Sequence, residues 1–223
     1  YYAGLPGEVP GVPPTMLGDL GAGAMYLAVG MLAGLLRARE TGQGTVVDAA
    51  IIDGASHMQA LLLSMGSLFS TTRRGASLLD GPHWSRSYRC ACGGFVALQA
   101  LEPKFYSIFL ERAGLAGRAS LQDQFDPALW PRQCAELEAF FLTQTRDAWS
   151  ARFAGTDACL APVLSPSEAQ GDPHVAARGI WQGGQPAAAP RFDGAAPSPA
   201  RPSPLRGQDG SAIMAELTEK GLL

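Results

Sequence analysis

Two carboxylates in this chain sit where a side chain can be held in place and still be used. Asp19 precedes the apolar run Leu20-Gly21-Ala22-Gly23-Ala24-Met25. An aspartate before such a run is a helix-start signal, because its carboxylate accepts unpaired backbone N–H groups of the first turn. The helix N-terminus also favours its charged form. The small residues at 21–24 leave that turn without bulk, so a ligand can approach the backbone closely. Glu102 follows the β-like run Val96-Ala97-Leu98-Gln99 and precedes Pro103. That places it at a strand-to-helix junction, where side chains commonly reach a cleft rim. For both acids a helix-start role and a chemical role are compatible. Two placed carboxylates beside a glycine-rich turn suggest acid–base work and do not identify the reaction.

The other reactive side chains are less organised. His57 lies in an apolar helical stretch and reads as structural, His83 falls in the turn Leu79-Asp80-Gly81-Pro82-His83-Trp84, and His174 follows Asp172-Pro173 as a loop or cap residue. None is near a serine or cysteine in a nucleophile elbow, and neither Gly-x-Ser-x-Gly nor a Walker pattern occurs. Gly21-x-Gly23 lacks the third glycine and the preceding strand of a dinucleotide fingerprint. Arg73, Arg74, Arg86 and Arg89 could contact phosphates or form a solvated face. Cys90 and Cys92 make a C-x-C without a second pair, which is not a zinc pattern, so no metal is expected. With Cys134 and Cys159 they read as ordinary reduced thiols, which suits a cytoplasmic protein.

The elements that must position these groups follow from pattern. Tyr1–Thr15 is rich in glycine and proline and reads as a loop. A helix is expected from Leu20 to Leu36 and on through Arg37, Arg39 and Glu40, closing at Thr41-Gly42-Gln43-Gly44. Its apolar stretch falls short of the roughly 18 residues of a membrane span, so it reads as a buried helix. Thr45–Ala49 reads as a strand, Ile52–Phe69 as a helix, Val96–Gln99 as a strand and Glu102–Ala113 as a helix begun by Pro103. Further helices are expected over Pro131–Thr143, Arg146–Phe153, a short stretch from Ser165, and Gly210–Gly221. Cys159–Leu164 reads as a strand and Gln182–Arg206 as an irregular linker. The 223 residues carry a formal net charge of -3 with no block of like charges. That speaks against a nucleic-acid patch and a polybasic membrane arm. The first residue is tyrosine, and the chain reads as beginning inside a longer protein.

Three stretches together resemble the α-methylacyl-CoA racemase family, within the family III CoA-transferase (CaiB/BaiF) superfamily. They are Val12-Pro13-Pro14 through Gly18-Asp19-Leu20-Gly21 to Asp48-Ala49, then Arg74-Gly75 with Leu79-Asp80-Gly81 to Tyr88-Arg89, then Phe95 to Leu101-Glu102-Pro103-Lys104-Phe105-Tyr106. Thr156 to Leu164 adds weaker support. The resemblance implies an α/β fold of the family III CoA-transferase type, built as an interlocked homodimer. Positions 1–49 would be a remnant of a large CoA-binding domain, 50–79 a linker helix and 80–166 a small α/β domain. Positions 167–191 would be a linker and 192–223 a C-terminal return to the large domain.

The implied activity is racemisation of 2-methylacyl-CoA thioesters by 1,1-proton transfer through an enolate. No cofactor is implied beyond the CoA that belongs to the substrate. Asp19 matches the family's catalytic aspartate. Glu102 matches the glutamate that pairs with a catalytic histidine on the other face, and the two acids would meet across the dimer. The Gly-His-Asp segment carrying that histidine has no match here, so the chain alone is expected to be inactive. A family III CoA-transferase with Asp19 as nucleophile is the nearest rival. A non-catalytic remnant is the third reading.

Overall fold

The computed structural model describes residues 3–12, 15–68, 70–182, 184–195 and 204–222. The chain divides into two compact units, Tyr1–Val163 and Leu164–Leu223. The mixture of helix and sheet agrees with the expected class.

Unit 1 opens with a loop that Arg74 gathers. Its guanidinium donates to the carbonyls of Ala3 at 3.0 Å and Leu5 at 2.9 Å, and also to that of Glu8. A long helix, α1 (Met16–Thr41), follows. Its first nine residues, Met16–Ala24, are π-helical. Gly42 ends it in the left-handed conformation, its N–H bonding Ala38 O at 2.8 Å. Helix α2 (Ile51–Met58) crosses the π-helical part at backbone contact. A Cβ on Gly54 would lie 2.0 Å from the carbonyl oxygen of Ala22, so only glycine permits this crossing. The segment between the helices lies against the glycine side of α1. A Cβ on Gly30 would meet Val47 at 2.6 Å, and one on Gly34 would meet Thr45 at 3.1 Å.

Three expectations are corrected in this region. Thr45–Ala49 is not a strand, because a strand needs a ladder partner and none pairs with it among the described residues. The helix expected over Ile52–Phe69 breaks into α2, α3 (Ala60–Ser64) and a 3₁₀ turn, Gly66–Leu68, while Phe69 lies outside the described residues. The helix expected to be buried is not: Leu20, Met25, Leu27, Val29, Met31, Leu32, Leu35 and Leu36 are all exposed. Its cover within the chain falls on the side that carries the glycines. With 26 residues, Met16–Thr41 is long and apolar enough to cross a membrane, where the apolar stretch read from sequence alone was too short.

The rest of unit 1 has a packed core. Strands β1 (Ser85–Arg89), β2 (Phe95–Gln99) and β3 (Leu160–Val163) form an antiparallel sheet in the order β1-β2-β3. Alternation in β2 sends Val96 and Leu98 inward and leaves Phe95 and Gln99 exposed. Pro162 is tolerated because β3 is an edge strand, where a missing N–H costs no second ladder bond. Helices α4 (Pro103–Ala113), α5 (Trp130–Phe141) and α6 (Arg146–Phe153) bury residues at helical spacing: Tyr106, Phe109, Leu110 and Ala113 on α4, and Trp130, Gln133, Cys134, Leu137 and Phe141 on α5. Tyr88 stacks on Phe141 at 4.9 Å and Phe109 on Phe153 at 5.7 Å, while Trp149 meets Phe141 edge-on at 5.4 Å. The indole N–H of Trp149 donates to Phe141 O at 2.9 Å. Each such buried aromatic contributes about 1.5–3 kcal/mol, so this cluster dominates the stability of the unit.

Unit 2 is built from short capped pieces. Ser165 and Glu168 form a capping box on α7 (Pro166–Gln170). Asp172 caps α8 (Pro173–Ala177), and His174 lies inside that helix and supplies no cap. A two-residue hairpin, Trp181–Gln182 with Gln185–Pro186, interrupts the stretch expected to be irregular. Gly183 and residues 196–203 of that stretch lie outside the described residues. Helix α9 (Gly210–Glu219) ends the unit.

Gly54→Ala is expected to lower stability by about 2 kcal/mol or more, because the added methyl overlaps backbone that cannot move aside. Gly44→Ala is the control, since nothing lies within 4 Å of a Cβ there. Equal urea midpoints for the two variants would show that the α1–α2 crossing is not fixed by this contact.

Candidate active site

Asp19 is inside α1, not at its N-cap as the sequence suggested. Thr15 takes the N-cap position, and the hydroxyl of Thr15 donates to Asp19 Oδ2 at 2.7 Å. The helix begins four residues earlier than expected because Met16-Leu17-Gly18 also join it, in the wider π register. The carboxylate is exposed in the first turns of α1, and the Thr15 hydroxyl fixes its orientation. π-Helical segments recur at functional sites, where they redirect a side chain from the regular face.

Glu102 is the N-cap of α4, with an extended backbone. Its carbonyl accepts the N–H groups of Phe105 and Tyr106, both at 3.0 Å. Its side chain makes no capping bond and is exposed. The carboxylate is therefore not consumed by the helix start it occupies. It lies beside Cys159, whose thiol is pushed up by partial burial and then by the Glu102 and Asp157 charges.

What holds Glu102 is a residue the sequence reading missed. The side-chain amide of Gln124 donates to the carbonyls of Ala100 and Leu101, both at 2.8 Å. The backbone carbonyl of Gln124 accepts the indole N–H groups of Trp84 and Trp130, both at 3.0 Å. Ala100 N bonds Trp84 O at 2.9 Å, and Gln99 N bonds Cys159 O at 2.9 Å. The two residues before Glu102 are thus pinned from several directions. In the sequence Gln124 stands in the polar loop Gln122-Asp123-Gln124-Phe125-Asp126, and no pattern marks it.

Asp19 and Glu102 lie on different elements, and no groove described here is lined by both. The histidines are otherwise engaged. His57 Nδ1 is 2.8 Å from the Tyr26 hydroxyl. His83 is fully buried, its Nε2 2.7 Å from the hydroxyl of Tyr106. Tyr106 donates its one proton to Leu121 O at 2.8 Å. His83 must then donate through Nε2–H, which leaves Nδ1 as a bare acceptor with no partner. A second proton would sit there without an acceptor. Burial, helped by the charge of Arg86, lowers the His83 pKa to about 4.

The four cysteines are free thiols, two buried and two exposed. Cys92 departs from the ordinary thiol expected. Its Sγ accepts the N–H of Arg146 at 3.4 Å, which together with the Gly94 N–H lowers its pKa. The four arginines have different fates. Arg74 donates its terminal nitrogens to the N-terminal loop, Arg86 faces Glu138 at 3.7 Å, and Arg89 lies over the Phe95 ring at 5.1 Å. Arg73 is exposed.

Residues 1–210 match the model of CoA-transferase family III, and the chain belongs to that family. It is 33% identical over 181 residues to the α-methylacyl-CoA racemase of Homo sapiens, covering 80% of this chain and 47% of that protein. The racemase of Mus musculus is 32% identical over 169 residues, with 74% and 44% covered. The succinyl-CoA–L-malate CoA-transferase alpha subunit of Chloroflexus aurantiacus is 27% identical over 193 residues, with 80% and 43% covered. Among solved structures, a CaiB/BaiF family protein from Brucella suis superposes with a TM-score of 0.68 at 20% identity, covering 96% of this chain and 59% of that one. A hypothetical protein from Mycobacterium tuberculosis gives 0.57 at 22%, with 80% and 49% covered. At these identities the structures attest the fold. The chain spans about half the length of the curated relatives it matches.

Two outcomes follow from this geometry. Gln124→Leu removes the donor from the buried Ala100 carbonyl, at about 1–3 kcal/mol for an unsatisfied group, and also the donor to the partly buried Leu101 carbonyl. It is expected to speed amide exchange at Phe105 and Tyr106, which cap on Glu102. Unchanged exchange would show that Gln124 does not anchor this junction. His83 binds a proton in the unfolded chain below about 6.5 but resists it when folded until about 4. Stability is therefore full above pH 6.5 and is lost as pH falls toward 4, a difference of about 2 kcal/mol between pH 8 and pH 5. Urea titrations at the two pH values measure it, and His83→Gln should flatten that part of the profile.

Proposed function

We propose that this chain carries the aspartate half of a 2-methylacyl-CoA racemase. In this reading Asp19 removes or returns the proton at the carbon next to the thioester carbonyl. Inverting that centre by proton transfer requires groups on opposite faces, each within hydrogen-bond reach of the carbon. Glu102 supports the second group. The family's Gly-His-Asp segment has no match here and His83 is buried, so in this reading the second base comes from the intact family assembly and the chain alone is inactive. Substrate is an acyl-CoA thioester and no separate cofactor takes part. The active assembly is a cytoplasmic homodimer, in which Asp19 of one subunit faces Glu102 of the other. The division into large-domain remnant 1–49, linker 50–79, small domain 80–166, linker 167–191 and return 192–223 belongs to this reading.

The observation that carries it is that both carboxylates are exposed at helix starts without a cation paired to either among the described residues. The greater identity to racemases than to the transferase supports the choice of reaction. The rival, CoA transfer with Asp19 as nucleophile, rests on the same aspartate.

The test uses the complete gene product with a 2-methylacyl-CoA in deuterated water. Label should enter the α carbon with no acid acceptor present, and Asp19→Asn should slow entry by about 10²–10⁴-fold. CoA transfer to a free carboxylic acid, with an enzyme adduct trapped by hydroxylamine, would establish the transferase instead.

A further inference from the structure

The arginines outside the proposed chemistry share a surface. An open groove of about 650 Å³ is lined by Arg73, Arg74 and Arg86 together with Glu8, Cys134 and Glu138. An adjoining groove of about 520 Å³ is lined by Arg86 and Arg89 and by Tyr88, Phe95 and Leu142. The two share Leu5, Arg86 and Glu138, so they form one trench. Four guanidinium groups line it against two carboxylates, in a chain of net charge -3.

The hydrogen-bond inventory separates scaffold from binding capacity. Arg74 spends its terminal nitrogens on three loop carbonyls and shapes the wall. Arg73 and Arg89 have no carboxylate partner among the described residues. Arg86 reaches Glu138 only at 3.7 Å, and its Nε has no partner. Glu138 is half exposed and is the one carboxylate poised to compete for Arg86. The remaining walls are apolar or stiff, with Pro6, Pro127 and Pro131 in the first groove.

We propose that this trench binds a phosphorylated small molecule carrying at least two negative charges, its phosphate oxygens held by Arg73, Arg86 and Arg89. Planar guanidinium forks match phosphate oxygens in pairs and bind them more strongly than neutral donors do. The charges must be separated or extended to span both grooves, which one monoanion does not achieve. The site is independent of the acid–base chemistry assigned to Asp19 and Glu102.

The experiment is calorimetric titration of this chain with inorganic pyrophosphate at low salt. Saturable binding is expected with Kd below about 1 mM, weakening as KCl is raised. Arg73→Ala and Arg89→Ala should each weaken it by about tenfold. Glu138→Gln should tighten it by about threefold, a change of opposite sign that a general loss of structure does not produce. Arg39→Ala, which removes the same charge from a residue lining neither groove, should change nothing. Absence of saturable heat, or equal Kd values across all four variants, overturns the proposal. Citrate binding as tightly as pyrophosphate overturns the phosphate assignment. A parallel titration with CoA separates two sources of the same chemistry: competition with pyrophosphate assigns the trench to the phosphates of CoA, and independent binding assigns it to a different phosphorylated molecule.

Discussion

The amide of Gln124 sits where strand β2 ends and Glu102 begins helix α4. Strand β2 must stop, turn, and release an exposed acid in a fixed direction. A strand end has unpaired carbonyls, and buried ones need donors. One side-chain amide supplies both donors, to Ala100 and Leu101. The same residue's carbonyl takes two indole N–H groups, which ties it to the deepest aromatic residues of the core. The position of Glu102 is thus a consequence of core packing. A loop residue with this burial is as much part of the core as Phe109 or Leu137.

Asp19 is placed by a different constraint. Its helix meets α2 through the hydrogen bond between Tyr26 and His57 and through a close approach of two backbones that glycine at position 54 permits. The result is that the two acids belong to bodies with different rigidity. Glu102 rises from a core with stacked aromatics, next to backbone carbonyls held by Gln124. Asp19 rides on a helix whose apolar side is open. Apolar area of this extent is covered in a stable assembly. Any mechanism using both acids therefore depends on whatever covers α1, because that contact sets where Asp19 points.

The legible parts of the sequence were local. Pro103 after an acid marked the start of α4, and Gly114, in the left-handed conformation at φ 75, closes it. The run Val96–Gln99 after the Gly93-Gly94 turn marked β2, and the run Arg146–Phe153 gave α6 at its observed bounds. What the sequence concealed was non-local or registered against a partner. Thr45–Ala49 has strand composition, yet composition makes a strand only where another strand supplies the ladder. The Asp19 cap was displaced because Thr15 is also a good N-cap residue and the glycines tolerate a wider helix. Arg73 and Arg74 are neighbours with identical side chains. One is consumed by a loop more than sixty residues away and the other has no side-chain partner among the described residues, and no sequence pattern distinguishes them.

The same aspartate can serve as base or nucleophile, so its own environment does not choose the reaction. A charged carboxylate at a helix start is competent for both, and the orientation imposed by Thr15 suits either. The choice lies with what faces it. Attack on a thioester carbonyl needs the carboxylate over the carbon that carries oxygen and sulfur, and needs no group on the opposite side. Proton transfer with inversion needs the adjacent carbon and a second proton carrier beyond it. An acid that is held rigidly, left uncapped and kept free of cations has a purpose in the second scheme, where it orients that carrier, and no assigned purpose in the first. Glu102 has all three properties. Within the proposed function, the anchorage of the Glu102 backbone supports epimerisation over CoA transfer more than the character of Asp19 does.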